Sequence, residues 1–301
     1  MKKRYHLFQV DSFTREKFLG NPAGVVLDAD GLTETMMQKI AREMNDSETA
    51  FIFRGDENCD VHVRFFTPTR EVPICGHATI AAHYVRAVTS KMESVRVLQK
   101  TGAGILPVDI ICEDGDYRIA MTQEKIEFGA PISADFAGRI ADALGGGTQG
   151  LNERCPVAVA STKVMIGLKD VAALHLLQPD MAALSRLSEE IGCNGYYAFT
   201  LHPGEEAFVH GRMFAPALGI FEDPVTGNAN GRLGRYLVHY GIVKPGDGIF
   251  SYTAVQGEAI GRPGRMRVEV EVAGGVPVGV RIVGEAVVAF STEIEIDEPS
   301  A

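Results

Sequence analysis

The segment Pro73-Ile74-Cys75-Gly76-His77-Ala78-Thr79 puts several reactive and permissive residues side by side. A loop ends in Cys-Gly and opens into a helix whose first turn carries small side chains. The first turn of a helix leaves N–H groups unbonded, and a glycine lets a ligand approach the backbone closely. Such a place suits an anion, a small carboxylate above all. His77 can donate a hydrogen bond to a substrate or help to move a proton. Glu222-Asp223-Pro224-Val225-Thr226-Gly227-Asn228-Ala229-Asn230 has the same build, with Gly227 and Asn228 opening a second helix. Glu48 stands at a helix-to-strand junction before Ala50, Phe51 and Ile52. A carboxyl walled by apolar side chains is suited to take and return protons near neutral pH. Each motif also has a plain structural reading. The two loops are then ordinary helix entries capped by Thr226 or Asn228, His77 bonds locally, and Glu48 is a solvated loop carboxylate.

The two loop-to-helix motifs belong to a longer internal repeat. Ile40-Ala41-Arg42-Glu43-Met44-Asn45-Asp46-Ser47-Glu48-Thr49-Ala50-Phe51 is echoed by Leu187-Ser188-Glu189-Glu190-Ile191-Gly192-Cys193-Asn194-Gly195-Tyr196-Tyr197-Ala198, 147 residues later. Phe66-Thr67-Pro68 is echoed by Phe214-Ala215-Pro216 at an offset of 148, and Gly76-His77-Ala78 by Gly227-Asn228-Ala229 at 151. Landmarks in one order at nearly one offset predict two similar domains. The copies differ where chemistry is expected: Gly195 stands opposite Glu48, and Asn228 opposite His77. If the domains face each other, two helix N-termini converge on one carboxylate.

Other chemistries fit less well. Two facing cysteines can racemise an amino acid, but Cys75 has only Pro224, Val225 and Thr226 near the corresponding turn. Cys75 then packs beside the site. His62, His77 and His83 lack metal-ligand spacing with a carboxylate, so no metal is expected. The glycine-rich run from Gly227 to Gly234 does not match the dinucleotide fingerprint, and no P-loop lysine follows. No cofactor is expected.

The elements that must position these residues follow from periodicity. Met36, Met37, Ile40, Ala41 and Met44 form an apolar helical stripe that ends near Asn45, and a helix over about 77–88 follows Gly76. In the second copy, Leu184, Leu187, Ser188 and Ile191 make the matching stripe, and a helix is predicted over about 229–240. Strands are predicted at 5–10, 25–27, 49–53, 61–66, 94–99, 104–112 and 117–122, and again at 164–168, 196–200, 265–272, 278–284 and 286–290. Gly211 to Gly227 reads as one long loop.

Length and composition bound the partners. A chain of 301 residues, 46% apolar, can fill two cores of domain size. A net charge of −10 without a Lys/Arg-rich stretch argues against nucleic acid and anionic membrane. No run approaches the ~20 apolar residues of a membrane span, and the basic start lacks the apolar stretch of a signal peptide. Five scattered cysteines fit a reducing cytoplasm.

Together these residues resemble the PhzF-like isomerases, and the YddE-type branch most. The resemblance rests on Asp11-Ser12-Phe13, Gly20-Asn21-Pro22-Ala23, Ser47-Glu48-Thr49, Phe66-Thr67-Pro68, Cys75-Gly76-His77-Ala78 and Glu222-Asp223-Pro224-Val225-Thr226-Gly227-Asn228. It implies an α+β fold of the diaminopimelate epimerase kind: two similar domains in a pseudo-two-fold arrangement, each a curved β-sheet wrapped around a central α-helix. It implies that the last strand returns to the first domain, giving 1–115 plus 286–301 with Glu48 and His77, and 116–285 with Asp223 and Asn228. The ligand then lies between them. It implies an isomerase in which Glu48 moves a proton on a small amino-acid-like or cyclic carboxylate, without a cofactor. His77 and Asp223 would orient the substrate and share the proton traffic, and Gly76 and Gly227 would supply backbone donors. Homodimers are common in such families. The family often has Ser where this chain has Asn228, which cannot relay a proton through a hydroxyl. Two other readings stay open: a metabolite-binding protein without catalysis, and a racemase or epimerase using Cys75.

Overall fold

The computed structural model describes residues 2–123, 127–204 and 206–297. The chain divides into two units, one running to Thr122 and resuming at Val283, the other spanning Gln123–Ile282.

The first unit holds strands β1 (Lys2–Ser12), β2 (Asn21–Leu27), β3 (Thr49–Asp56), β4 (Cys59–Phe66), β5 (Glu71–Val72), β6 (Val95–Thr101), β7 (Gly104–Glu113) and β8 (Asp116–Thr122), with helices α1 (Glu34–Met44) and α2 (Gly76–Ser90). The second holds β9 (Phe128–Pro131), α3 (Ala134–Ala143), β10 (Ala158–Ala160), β11 (Lys163–Gly167), α4 (Val171–His175), α5 (Met181–Ile191), β12 (Gly195–Leu201), β13 (Val209–Ala215), β14 (Ile220–Asp223), α6 (Gly227–His239), β15 (Gly248–Gln256), β16 (Gly264–Ala273) and most of β17 (Val276–Gly284). The last strand, β18 (Ala286–Asp297), returns to the first unit and lies antiparallel to β1. Residues 298–301 of the expected return lie outside the described residues. The hairpin of β7 with β8 keeps residues 116–122 in the first unit, beyond the division expected at 115.

The repeat is visible in the strand pairing. In the first unit the order is β18-β1-β2-β3-β4-β6-β7-β8, with β2–β3 and β4–β6 parallel and the other pairs antiparallel. In the second, β9-β10-β11-β12-β13-β15-β16 repeats that pattern, with β11–β12 and β13–β15 parallel. The short strands β5 and β14 attach to β4 and β13 at matching places. Helix α2 touches β18 and β1 at one end of its sheet and β7 and β8 at the other, so the sheet curls around it. Helix α6 likewise touches β10 and β16. A helix wrapped in this way must be apolar or small on nearly every face, and α2 buries Ala78, Ile80, Ala81, Ala82, Val85 and Ala87.

Local signals place the ends of these elements. Thr33 caps α1, its side chain accepting from Met36 N, and Asn45 closes the helix in the left-handed region at φ 56°. The stretch expected as one loop from Gly211 to Gly227 instead contains most of β13 and all of β14. Gly211 sits inside a strand because the Tyr197 ring lies against it: a β-carbon there would come 2.1 Å from the Tyr197 hydroxyl oxygen.

One buried group of α2 links the fold to pH. His83 is fully buried. Its Nε2 lies 2.7 Å from Gln99 Oε1 and its Nδ1 3.1 Å from Arg86 Nη1. Arginine can only donate, so Nδ1 accepts, Nε2–H donates, and the ring is neutral. Burial, and then the Arg86 charge, push its pKa down to about 3. As pH falls below about 6.5, the unfolded chain gains a proton that the folded chain refuses. The stability held by this neutral ring is therefore intact above that pH and is lost as pH falls towards the folded value. The loss from His83 should reach about 2 kcal/mol at pH 5. Denaturant unfolding at pH 7 and pH 5 measures it, and His83→Gln should shrink the difference. An undiminished difference in that variant would assign the acid sensitivity elsewhere.

Candidate active site

In the first unit, α1 ends so that Ser47 and Glu48 lead directly into β3, and the Glu48 carbonyl accepts from Gly24 N at 3.3 Å. That bond fixes the backbone of Glu48 against β2. The start of α2 is fixed from two sides. Ser12 Oγ donates to the His77 carbonyl at 2.8 Å, and Thr79 Oγ1 donates to the Cys75 carbonyl at 2.7 Å. Cys75 is the N-cap, in extended conformation, and its side chain makes no capping bond.

These anchors bring together residues about thirty positions apart. His77 Nε2 lies 3.4 Å from Glu48 Oε2 and 3.1 Å from Ser47 Oγ. Cys75 Sγ lies 3.4 Å from His77 Nδ1. His77 and Cys75 are buried, and the Glu48 side chain is mostly so. Ser47 and Glu48 meet the same nitrogen of His77, which places a carboxylate and an imidazole able to exchange a proton within reach of each other. Gly76 adds a distinct observation. Its φ is not positive, and a β-carbon built on it would meet no heavy atom within 4 Å. Neither backbone conformation nor packing demands glycine there.

Glu48, Cys75 and His77 also offer one ligand atom each within 4.8 Å of one another. Carboxylate oxygen, thiolate and imidazole are ligand types that zinc accepts. Residue spacing could not reveal the cluster, because the fold, not a local motif, gathers it.

The second unit builds the corresponding place differently. Gln256, at the end of β15, holds the entry to α6: its Nε2 donates to Asp223 O at 2.8 Å, and its Oε1 accepts from Thr226 N at 3.1 Å. Its Oε1 also accepts from Asn230 Nδ2 at 3.1 Å. Asn230 is completely buried, and its Oδ1 accepts from the Tyr197 hydroxyl at 2.7 Å. Burial raises the pKa of Tyr197 far above the phenol's ordinary value, so its hydroxyl stays a donor. Thr226, the N-cap, gives its hydroxyl hydrogen bond to Asp223 Oδ2. Gly257, next in the chain, has φ 90°, and a β-carbon there would collide with the carbonyl oxygens of Arg262 and Pro224.

Gly227 is buried at the start of α6, whereas the Asn228 side chain, the counterpart of His77, is exposed. Asn230, two residues on and on the opposite side of the helix, is the buried hub that sequence reading missed, together with Gln256. A buried polar side chain on a small-residue helix was the available signal. Thr226 occupies the N-cap place of Cys75, so the second unit has a hydroxyl where a two-thiol racemase needs sulfur.

Each short strand before a central helix is braced by the same fork. In the first unit Arg64 Nε and Nη2 donate to Glu71 at 2.7 and 2.6 Å. In the second, Arg212 Nε and Nη2 donate to Glu222 at 2.9 and 2.8 Å. Each guanidinium also lies over a phenylalanine, Phe66 or Phe214. Arg212 is the more buried, and its Nη1 donates to the carbonyls of Leu174 and Leu177.

Two similar units, each a sheet curled round a buried helix, make a fold of the diaminopimelate epimerase-like class. A family model described as phenazine biosynthesis-like protein (PhzC-PhzF) matches residues 10–292, and the chain belongs to that family. The resemblance read from the motifs is thus borne out. The chain is 56% identical to an uncharacterized isomerase of Clostridium acetobutylicum over 99% of its length and 100% of the relative. It is 44% identical to the uncharacterized isomerase YddE of Escherichia coli, over 97% of this chain and 98% of that one. It is 32% identical to the trans-2,3-dihydro-3-hydroxyanthranilate isomerase of Pseudomonas aeruginosa, over 88% and 90%. Among solved structures, a PhzF-family protein of Bacillus anthracis matches at a TM-score of 0.88 and 31% identity, covering 98% of this chain and 100% of the other. A hydroxyproline epimerase of Agrobacterium vitis, at 16% identity and a TM-score of 0.62, covering 98% of this chain and 94% of the other, shares the fold. Among the described residues, no helix is long and apolar enough to cross a membrane.

Proposed function

We propose that this isomerase moves a proton on a small carboxylate-bearing metabolite, amino-acid-like or cyclic, with Glu48 as the acid–base residue and no cofactor. The observation that carries the reading is the contact of Glu48 with His77 at the start of α2, beside a glycine that packing does not require. Taking a proton from carbon leaves negative charge on the substrate. Backbone N–H groups at Gly76, with the helix dipole behind them, are suited to hold a carboxylate and spread that charge. His77 orients the substrate and steadies Glu48, with Ser47 at the same ring nitrogen and Cys75 beside the other. In the second unit, Asp223 carries the matching orienting role, and Gly227 and Asn228 supply donors. Cys75 lines the site. The names of the relatives support the reading: one acts on a cyclic amino carboxylate, and a structural neighbour epimerises a cyclic amino acid. The charge and composition suit a cytoplasmic enzyme of small-molecule metabolism.

The experiment is deuterium incorporation from D₂O into trial substrates, beginning with trans-2,3-dihydro-3-hydroxyanthranilate, proline and hydroxyproline. Activity should survive extensive treatment with EDTA. Loss that Zn²⁺ restores would recast Glu48, Cys75 and His77 as metal ligands. Gly76→Ala tests the carboxylate cradle. The added methyl has room and improves helix propensity, so thermal stability should hold or rise by up to about 1 kcal/mol. Exchange should nevertheless fall at least about tenfold, because a methyl group intrudes where the ligand approaches. Exchange at the wild-type rate in this variant would remove Gly76 from the site.

A further inference from the structure

The two units differ at one further position, which strand register reveals. In the first unit Gly24 of β2 is paired with Thr49 of β3, so one residue earlier Ala23 lies beside Glu48. In the second unit the equivalent parallel pair sets Lys163 of β11 beside Gly195 of β12. Residues paired in a parallel ladder point to the same face of the sheet. Gly195 is the repeat counterpart of Glu48. The second unit has therefore lost the carboxylate of the inner strand and gained an ammonium from the neighbouring one, over the same patch of sheet.

Lys163 is only 6% exposed. Its Nζ donates to Asn194 Oδ1 at 3.0 Å. Asn194 is the counterpart of Ser47, the residue whose hydroxyl meets His77. An ammonium has three hydrogens to give. Among the described residues, Asn194 is the single acceptor within hydrogen-bond distance of it. The titratable groups that act on it are Arg232 on α6, Asp223 at the end of β14 and Cys193 before β12. Burial, with Arg232 next, pushes the amine down to about 8, and Asp223 and Cys193 oppose the shift. A buried cation with donors to spare is expensive unless an anion completes its surroundings.

We propose that Lys163 is a substrate-binding cation of the second unit, donating to a carboxylate of the metabolite. The proposal rests on the isomerase reading for the identity of its ligand class. It gives the protein opposite charges at equivalent places of its two halves: an acid–base carboxylate in one, a carboxylate-holding ammonium in the other.

The test measures binding apart from turnover. Calorimetry at pH 8 is run with benzoate, anthranilate, proline and trans-2,3-dihydro-3-hydroxyanthranilate, each in two buffers of different ionisation enthalpy. At that pH the amine is partly neutral, and an anion beside it favours the charged form, so binding should draw protons from the buffer. Lys163→Met should bind the best of these carboxylates at least about tenfold more weakly, and its proton uptake should vanish. Lys163→Arg should keep affinity within about threefold while also losing the proton uptake, since guanidinium stays charged. The Met variant should fold, because it removes a charge that burial disfavours, and its thermal unfolding at pH 7 checks this. Wild-type affinity and proton uptake in Lys163→Met would overturn the inference, as would the failure of every carboxylate to bind wild type. Failure of the isomerase reading looks different: carboxylates then bind in a Lys163-dependent way, yet no carbon-bound proton exchanges.

Discussion

Glu48→Gln is expected to cut deuterium exchange into substrate by at least about a hundredfold while leaving the fold intact. A positioned acid–base side chain contributes about 10²–10⁴-fold, and an amide of the same shape can neither take nor return the proton. The substitution suits the site. The backbone of Glu48 is held by Gly24 N, and Gln can keep the contact with His77 through its amide oxygen or nitrogen. The variant should bind carboxylate probes with little change, since the proposed cradle is backbone at Gly76. A fall in turnover without a fall in binding separates proton transfer from substrate recognition. Exchange within a few-fold of wild type would mean that another group carries the proton. It would leave standing the reading of the protein as a metabolite binder whose Glu48 is structural.

Arg212→Met should lower stability by about 3–5 kcal/mol, the cost of stranding a buried charge. Both side chains of the Arg212–Glu222 pair are nearly buried, at 8% and 10% exposure. Removing the guanidinium leaves the Glu222 carboxylate without its two bonds and strips the Leu174 and Leu177 carbonyls of a donor. For a unit of this size the midpoint of thermal unfolding should fall by roughly 6–20 °C. The double variant Arg212→Met with Glu222→Leu should recover much of the loss, because it buries no lone charge. A single variant that loses less than about 1 kcal/mol would show the pair to be solvated. Because Glu222 precedes Asp223, the single variant should also loosen the entry to α6, and Lys163-dependent carboxylate binding should weaken with it. The matching pair Arg64–Glu71 is more exposed, so Arg64→Met should cost markedly less.

The repeat was legible because its landmarks are turns and helix starts, where backbone needs restrict the residue type. Phe66-Thr67-Pro68 and Phe214-Ala215-Pro216 mark the ends of β4 and β13, and Gly76 and Gly227 open α2 and α6. Helix α1 was legible from its apolar stripe and its end near Asn45. The strand over Val209–Ala215 was not, because Gly211 reads as a loop residue until the Tyr197 ring is seen to require it. At the site, Glu48 and His77 stood out singly, and their contact came only from the fold. Asn228 drew notice through its place opposite His77, yet Asn230 is the residue that Gln256 and Tyr197 hold. Pairing by offset cannot tell which helix face turns inward. It could have found the duplicated forks, since Arg64 and Arg212 lie 148 residues apart and Glu71 and Glu222 151, the offsets of the neighbouring landmarks. Lys163 was invisible to that comparison, because its meaning lies in its cross-strand neighbour Gly195 rather than in its own place in the repeat.

The strand β18 runs beside β1 from Ala286 opposite Ser12 to Asp297 opposite Lys2. On a ribosome the two units therefore do not mature in the order in which they are translated. The second has its strands β9 to β16 and its helices α3 to α6 available before β18 emerges, whereas β1 must wait with one edge bare until β18 has been made. The half that carries Glu48 is begun before the second unit and closed after it. A chain interrupted before Ala286 would keep Lys163 and its surroundings but leave the Glu48 unit with an open edge, a template for unwanted strand pairing. The chemistry proposed for Glu48 thus waits on a strand that is translated after the whole of the second unit.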